Sequence, residues 1–173
     1  GLFGITEVLI QIEKFGPIEK AKNFSKDVYL PSIKENIRLV SKHLRTIIRS
    51  SMIGTFIGAL PGIGSETSPW VANGLAKRAS KKPEDFGKGS LDGVLAPEAA
   101  NNAVCGAAMI PMLVFGIPGD IVTAILMSAL IAQGLQPGPF LIVEHREVIY
   151  GLFMSVLFAT FALYIFGRLT LRW

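Results

Sequence analysis

Cysteine is nearly absent from this chain. Cys105 stands alone among 173 residues, which excludes an internal disulfide framework and leaves a small buried hydrophobe as the expected role of that side chain. Histidine is almost as scarce: His43 and His145 both fall in charged connectors, and no spacing suggests a metal site or a Cys/His catalytic pair. The run Gly62, Ile63, Gly64 lacks the third glycine of a dinucleotide fingerprint and the Gly-Lys-Ser/Thr ending of a P-loop, so nothing supports nucleotide binding. Also missing is a basic n-region with a small-residue cleavage site after Gly1; no signal peptide is expected, and the start reads as internal to a longer chain.

The most informative absence is that of charge. From Val148 to Phe166 there are nineteen residues without one, bracketed by Arg146 and Glu147 before and by Arg168, Arg172 and Trp173 after. At about 1.5 Å of rise per residue this covers roughly the ~30 Å hydrocarbon core of a bilayer. A buried helix of a soluble protein is the alternative, but such a helix rarely needs apolar residues on all sides. Two further uncharged runs, Ala99 to Gly119 and Ile121 to Val143, are separated by Asp120 alone, and Ser50 to Ala76 is interrupted only by Glu66. With 50% apolar residues and a mean hydropathy of +0.48, the chain is expected to be an all-α polytopic membrane protein with broken or re-entrant helices.

Residues 1–12 read as the end of an upstream membrane helix. Residues 13–49 form a connector that opens on a break at Phe15, Gly16 and Pro17. Within it, Ser32 and Glu35 make a capping-box pair, and Ile33, Ile37, Val40, Leu44 and Ile47 stack on one face of a basic amphipathic helix. Such a helix lies along the headgroup boundary or docks on a protein surface. Nine Lys or Arg between Glu13 and Arg49, and five more between Lys77 and Lys88, place both segments on the cytoplasmic side. The intervening 50–76 is split by Pro61 and Gly62 into halves too short to cross, which predicts a re-entrant hairpin. Ser68 followed by Pro69 suits the start of its second half. Gly54 and Gly58 in the first half have the GxxxG spacing of close helix packing.

A polar loop at 77–96 precedes 97–143, where a spanning helix is expected from Pro97 to Gly116 with a kink near Pro111. A second break follows at Ile117, Pro118 and Gly119, then a half-helix capped by Asp120 that runs to about Gln133, then a Gly/Pro turn at 134–139. Residues 144–173 supply the last transmembrane helix. Short half-helices ending in irregular backbone are tolerated at membrane depth only where they line a cavity, as transporter binding sites do.

Glu66 and Asp120 are ionisable groups inside long apolar stretches, each following a proline–glycine break, so they are candidates for coupling a cation or proton. Helix capping is the alternative role for both. Asn101 and Asn102 can bind substrate or tie helices together. No Lys or Arg lies within Met52–Ala76 or Ala99–Val143, so an anion there would be held by backbone N–H groups at helix starts after Gly62 to Gly64 and after Gly119. The candidate substrate set is Gly62, Gly64, Ser65, Asn101, Asn102 and Gly119. No catalytic residue, metal ligand or cofactor is expected. The net charge of +4 sits in loops beside membrane segments, which favours lipid over nucleic acid as a partner.

The segment GTFIGALPGIGSETSPWVANGLAKRASKKPEDFGKGSLDGVLAPEAANNAVCGAAMIPMLVFGIPGD, followed by GLQPGPFL, resembles the signature region of the TctA family. That family comprises the large membrane subunits of tripartite tricarboxylate transporters. PEDFGKG, APEAANNA and GLQPGP carry most of the likeness, and FGITEVL at 3–9 extends it. Asp120 departs from the small residue expected after GIPG, as do Ser65, Glu66 and Thr67 after PGIG. Family members have two related halves, each with a glycine-rich motif ending in PGxG; one copy is present, so the chain resembles a second half.

The resemblance implies uptake of citrate-like or other small carboxylates across a bacterial inner membrane, driven by a sodium or proton gradient. It also implies two partners, a periplasmic substrate-binding protein and a small membrane subunit. The alternatives are a non-transporting membrane scaffold or truncated pseudo-subunit, and a membrane-embedded enzyme, the last disfavoured by the lack of a nucleophile and base.

Overall fold

In the computed structural model the described residues are 2–14, 32–63 and 65–170, and among them every regular element is helical. They form α1 (Leu2–Lys14), α2 (Ile33–Lys42), α3 (Leu44–Gly58), α4 (Thr67–Ala79), α5 (Leu91–Ala107), α6 (Met109–Phe115), α7 (Ile121–Ala132), α8 (Pro139–Glu144) and α9 (Arg146–Thr170). A single 3-10 turn, Pro83–Asp85, interrupts the α4–α5 loop. The break at Phe15 to Pro17 and the connector up to Pro31 lie outside the described residues.

Ser32 starts α2 with the capping box its sequence encodes: Glu35 N donates to Ser32 Oγ at 3.3 Å, and Ser32 N to Glu35 Oε2 at 2.7 Å. The amphipathic stripe does not continue as one helix, because the chain leaves helical geometry at His43 before α3 resumes. His43 Nδ1 lies 2.8 Å from Asp92 Oδ1 at the start of α5, a contact that fixes this joint against a distant element.

α3, α4 and α5 form one packed unit, and its register follows from its contacts. His43 meets Asp92, a Cβ on Gly54 would meet the Ala100 backbone, and one on Gly58 would meet Val104 and Ala107. Sequence position thus rises together along α3 and α5, which run parallel. Arg49, early in α3, donates to the carbonyl of Leu75, late in α4, so α4 runs antiparallel to α3. The buried faces are built from small residues: Ser50, Gly54, Ile57 and Gly58 of α3; Ser68, Ala72 and Ala76 of α4; Ala96, Ala100, Val104 and Ala107 of α5. Small side chains let backbones approach closely, which is how helices associate where lipid removes the hydrophobic drive between them.

The second half packs by a different rule. Met109, Met112, Leu113, Leu130 and Leu141 form a cluster of large side chains joining α6, α7 and α8, with Val148, Ile149 and Leu152 bringing in the start of α9. Beyond that start, α9 exposes Phe153, Phe158, Phe161, Tyr164 and Phe166. Among the described residues two stretches are long and apolar enough to cross a membrane, Leu91–Phe115 and Arg146–Thr170, each of 25 residues. Each spans about 37 Å at ~1.5 Å per residue, more than the ~30 Å hydrocarbon core.

Three boundaries differ from the sequence expectation. The spanning helix starts at Leu91, not Pro97: Ser90 caps it by accepting from Gly93 N at 3.3 Å, and Pro97 sits inside the helix. Its break falls at Ala108, three residues before Pro111, which has no N–H to donate and whose ring crowds the carbonyl of Ala107. α3 and α4, at 15 and 13 residues, exceed the roughly eleven and nine expected on the two sides of Pro61 and Gly62 but remain near 20 Å at ~1.5 Å per residue, short of a crossing.

Cys105 corrects a further expectation. It is exposed, because it lies on the face of α5 turned away from Ala100, Val104 and Ala107, and its thiol donates to the Asn101 carbonyl at 3.2 Å.

Candidate functional site

The two proline–glycine breaks, 57 positions apart in sequence, meet in space: Gly62 N donates to the Gly119 carbonyl at 3.0 Å. Each break has its own reason to bend there. Gly62 has φ +80°, a left-handed conformation that glycine adopts without a Cβ penalty. Gly119 approaches the α5–α6 joint so closely that a Cβ would stand 2.7 Å from the Ala108 carbonyl oxygen. The helix starts of α4 and α7 therefore issue from one crossing of irregular backbone beside a kinked helix.

Asp120 caps α7. Its Oδ1 accepts from Thr123 N at 2.8 Å and from Thr123 Oγ1 at 2.7 Å, while Asp120 N donates back to Thr123 Oγ1 at 2.9 Å. Ser65, from the other break, reaches the same carboxylate with its side chain. A carboxylate seated on a helix start occupies the place an anion would take. The start of α7 is thus closed to a negatively charged ligand.

The start of α4 differs. Glu66 stands at its N-cap with helical dihedrals and gives no side-chain cap bond, and Glu66 itself is exposed. Thr67 Oγ1 turns back to the Ile63 carbonyl at 3.1 Å, which leaves the first-turn N–H groups without a side-chain partner of the Asp120 kind. Ser68, directly behind, is fully buried, and its Oγ has no hydrogen-bond partner, as is true of Asn73 Oδ1 one turn further on. Both are oxygen acceptors in the interior of α4. Ser68 has the sequence pattern of a helix start, and its burial is signalled by the small-residue spacing it shares with Ala72 and Ala76.

Of the sequence candidates, the structure brings Gly62, Gly119, Ser65 and Asp120 together, with Glu66 adjoining them. Gly64 lies outside the described residues. Asn101 and Asn102 do not join the group. They sit seven and six residues before Ala108, about 10 Å along the helix at ~1.5 Å per residue, on its exposed side. Asn102 donates from its side chain to the Glu98 carbonyl at 3.0 Å. The N–H of Gly62 is also spoken for, since it donates to Gly119. Among the described residues no group of His, Cys, Asp and Glu could hold a metal ion.

Comparison with known proteins adds to this geometry. The model of the tripartite tricarboxylate transporter TctA family matches residues 1–173. An uncharacterized 52.8 kDa protein of the TAR-I ttuC' 3' region of Agrobacterium vitis is 33% identical over 156 residues, covering 90% of this chain and 30% of that protein. An uncharacterized protein of the TAR-II ttuC' 3' region of the same organism is 38% identical over 103 residues, covering 60% of this chain and 43% of its own length. The chain thus spans less than half the length of these curated relatives. No solved structure matches it.

Proposed function

The chain belongs to the tripartite tricarboxylate transporter TctA family, and from that membership we propose that it contributes the second half of a large membrane subunit that takes up tricarboxylates or related small carboxylates. In this reading the subunit sits in a bacterial inner membrane. It receives substrate from a periplasmic binding protein, is completed by a small membrane subunit, and draws on a sodium or proton gradient. The activity is transport rather than catalysis. The observation that carries the reading is the Gly62–Gly119 contact, which joins two helix breaks and sets two helix starts beside them within an apolar chain.

The roles divide by what each group has free. The uncapped start of α4, with Gly64 and Ser65 leading into it, supports an anion site where the helix dipole and backbone N–H groups face a carboxylate. Gly62 and Gly119 hold the crossing together. Glu66 and Asp120, with the buried oxygens of Ser68 and Asn73, are the groups suited to a coupling cation or proton. Asn101 and Asn102 remain substrate-binding candidates on the exposed side of α5, where an element contributed by the rest of the subunit can meet them.

Reconstitution tests this. The full-length subunit with its binding protein and small subunit, in proteoliposomes, should accumulate labelled citrate or a related carboxylate under an imposed sodium or proton gradient and not without one. Equal uptake with the gradient collapsed would remove ion coupling. Absence of carboxylate uptake across a panel of di- and tricarboxylates would remove the transport reading.

A further inference from the structure

At the end of the three-helix unit where α3 and α5 begin and α4 finishes, a groove of about 150 Å³ opens between the helices. It is lined by Arg45, Thr46 and Arg49 of α3, Ala76 and Ser80 at the end of α4, and Asp92 of α5. Arg45 and Arg49 are four residues apart and so share a face of α3. The Arg49 guanidinium is anchored by its bond to the Leu75 carbonyl, which uses one donor of the five in its fork. Asp92 is engaged by His43 at 2.8 Å. Two guanidinium groups against one carboxylate leave the lining cationic.

Three features say what such a groove would hold. Leu91–Phe115 is one of the stretches able to span a bilayer, and Asp92 is its second residue, so the groove lies at the depth of lipid phosphates rather than in the hydrocarbon. On α3, Leu44 and Ile48 are exposed one helical step round from Arg45 and Arg49, and Leu75 of α4, whose carbonyl holds Arg49, is exposed as well, giving apolar surface beside a cationic groove. Lys34, Arg38 and Lys42 continue the basic positions backward along α2 at intervals of four, while Ile33, Ile37 and Val40 of the same helix are exposed. A soluble anion would need the arginines alone. Cationic groups beside exposed leucine and isoleucine, at the end of a spanning helix, match a molecule with a phosphate at one end and a hydrocarbon tail at the other.

We propose that this groove binds an acidic phospholipid, with Arg45 and Arg49 holding the phosphate and Leu44, Ile48 and Leu75 lying against the acyl chain. The site ties α3, α4 and α5 together at the membrane boundary, below the joint at His43. The proposal rests on the membrane placement of these helices, which alkaline carbonate extraction of wild-type membranes reports on independently.

The test is native mass spectrometry of the full-length subunit, delipidated in detergent and titrated with phosphatidylglycerol, phosphatidylcholine or inorganic phosphate. Wild type should retain phosphatidylglycerol selectively, and inorganic phosphate should not compete. At the attraction typical of one basic residue for an acidic lipid surface, Arg45→Gln should weaken retention about 5-fold, and Arg45→Gln with Arg49→Gln about 30-fold. Lys82→Gln with Lys88→Gln, removing the same charge outside the groove, should leave it unchanged. Because Arg49 also bonds Leu75, the double variant can lose structure; the single Arg45→Gln variant, on an exposed side chain, decides in that event. Unchanged retention in Arg45→Gln, equal retention of phosphatidylcholine, or displacement by inorganic phosphate each overturns the proposal.

Discussion

At the scale of single residues, the two carboxylates set in apolar stretches behave as different devices although the sequence presents them alike. Asp120 closes a capping box with Thr123, so Asp120→Ala should destabilise the subunit by about 0.5–2 kcal/mol, the usual loss for an N-cap, while Asp120→Asn should retain most of it. Thermal unfolding in detergent, followed by intrinsic fluorescence, distinguishes the two. Glu66 gives no cap bond, and Glu66→Gln should therefore leave stability unchanged while lowering gradient-driven uptake. Full uptake in Glu66→Gln would withdraw Glu66 from the coupling role. The glycines separate in the same way. Gly119→Ala drives a Cβ into the Ala108 carbonyl and should cost about 1–3 kcal/mol by overpacking, whereas Gly62→Ala meets no atom within 4 Å and should cost only the ~1–2 kcal/mol of a left-handed residue.

At the scale of elements, the helices were largely legible and their mutual placement was not. Ser32 with Glu35 marked the start of α2, Asp120 the start of α7, and the charge-free run from Val148 the body of α9, because capping and hydropathy act within a few residues of the chain. Pro97 resembles a first-turn proline, yet Ser90 caps the helix nearly two turns before it, which is why the early start of α5 is not legible in the sequence. The Gly62–Gly119 contact could not be read at all, since it depends on how α3 and α5 pack over the intervening residues. The GxxxG pair does reveal that packing. Gly54→Val and Gly58→Val should each sharply reduce the yield of monodisperse subunit, because Cβ atoms there run into the Ala100 backbone and into Val104 and Ala107. Gly74→Ala, in an open position on α4, should be neutral or stabilising by up to about 1 kcal/mol. A well-behaved Gly54→Val protein would mean that α3 and α5 are not held at this distance.

At the scale of the whole molecule, the decisive consequence of the fold is topological. α3 and α5 run parallel, α4 runs back antiparallel beside them, and the contacts His43–Asp92 and Arg49–Leu75 bring the start of α3, the end of α4 and the start of α5 to one end of the unit. The basic residues Lys34, Arg38 and Lys42 approach that end from α2, Arg45 stands in the first turn of α3, and Lys77, Arg78, Lys81, Lys82 and Lys88 leave it toward α5. Positive charge in short connectors is retained on the cytoplasmic side, so the hairpin of α3 and α4 should enter the membrane from the cytoplasm and return to it. With the exposed Cys105 first replaced by alanine, Lys42→Cys and Lys82→Cys introduced singly into the full-length subunit should both be blocked by a membrane-impermeant thiol reagent in inside-out vesicles. Neither should react in intact spheroplasts. The crossing of the two breaks lies at the far end of α3, about 20 Å from its start at ~1.5 Å per residue, so with this topology a cysteine at Ile63 should react only slowly from the cytoplasmic side. Labelling of Lys42→Cys and Lys82→Cys from opposite faces would require α3 or α4 to cross the bilayer on its own. Neither is long enough to do so, and the membrane placement of the unit would then have to be redrawn around α5 alone.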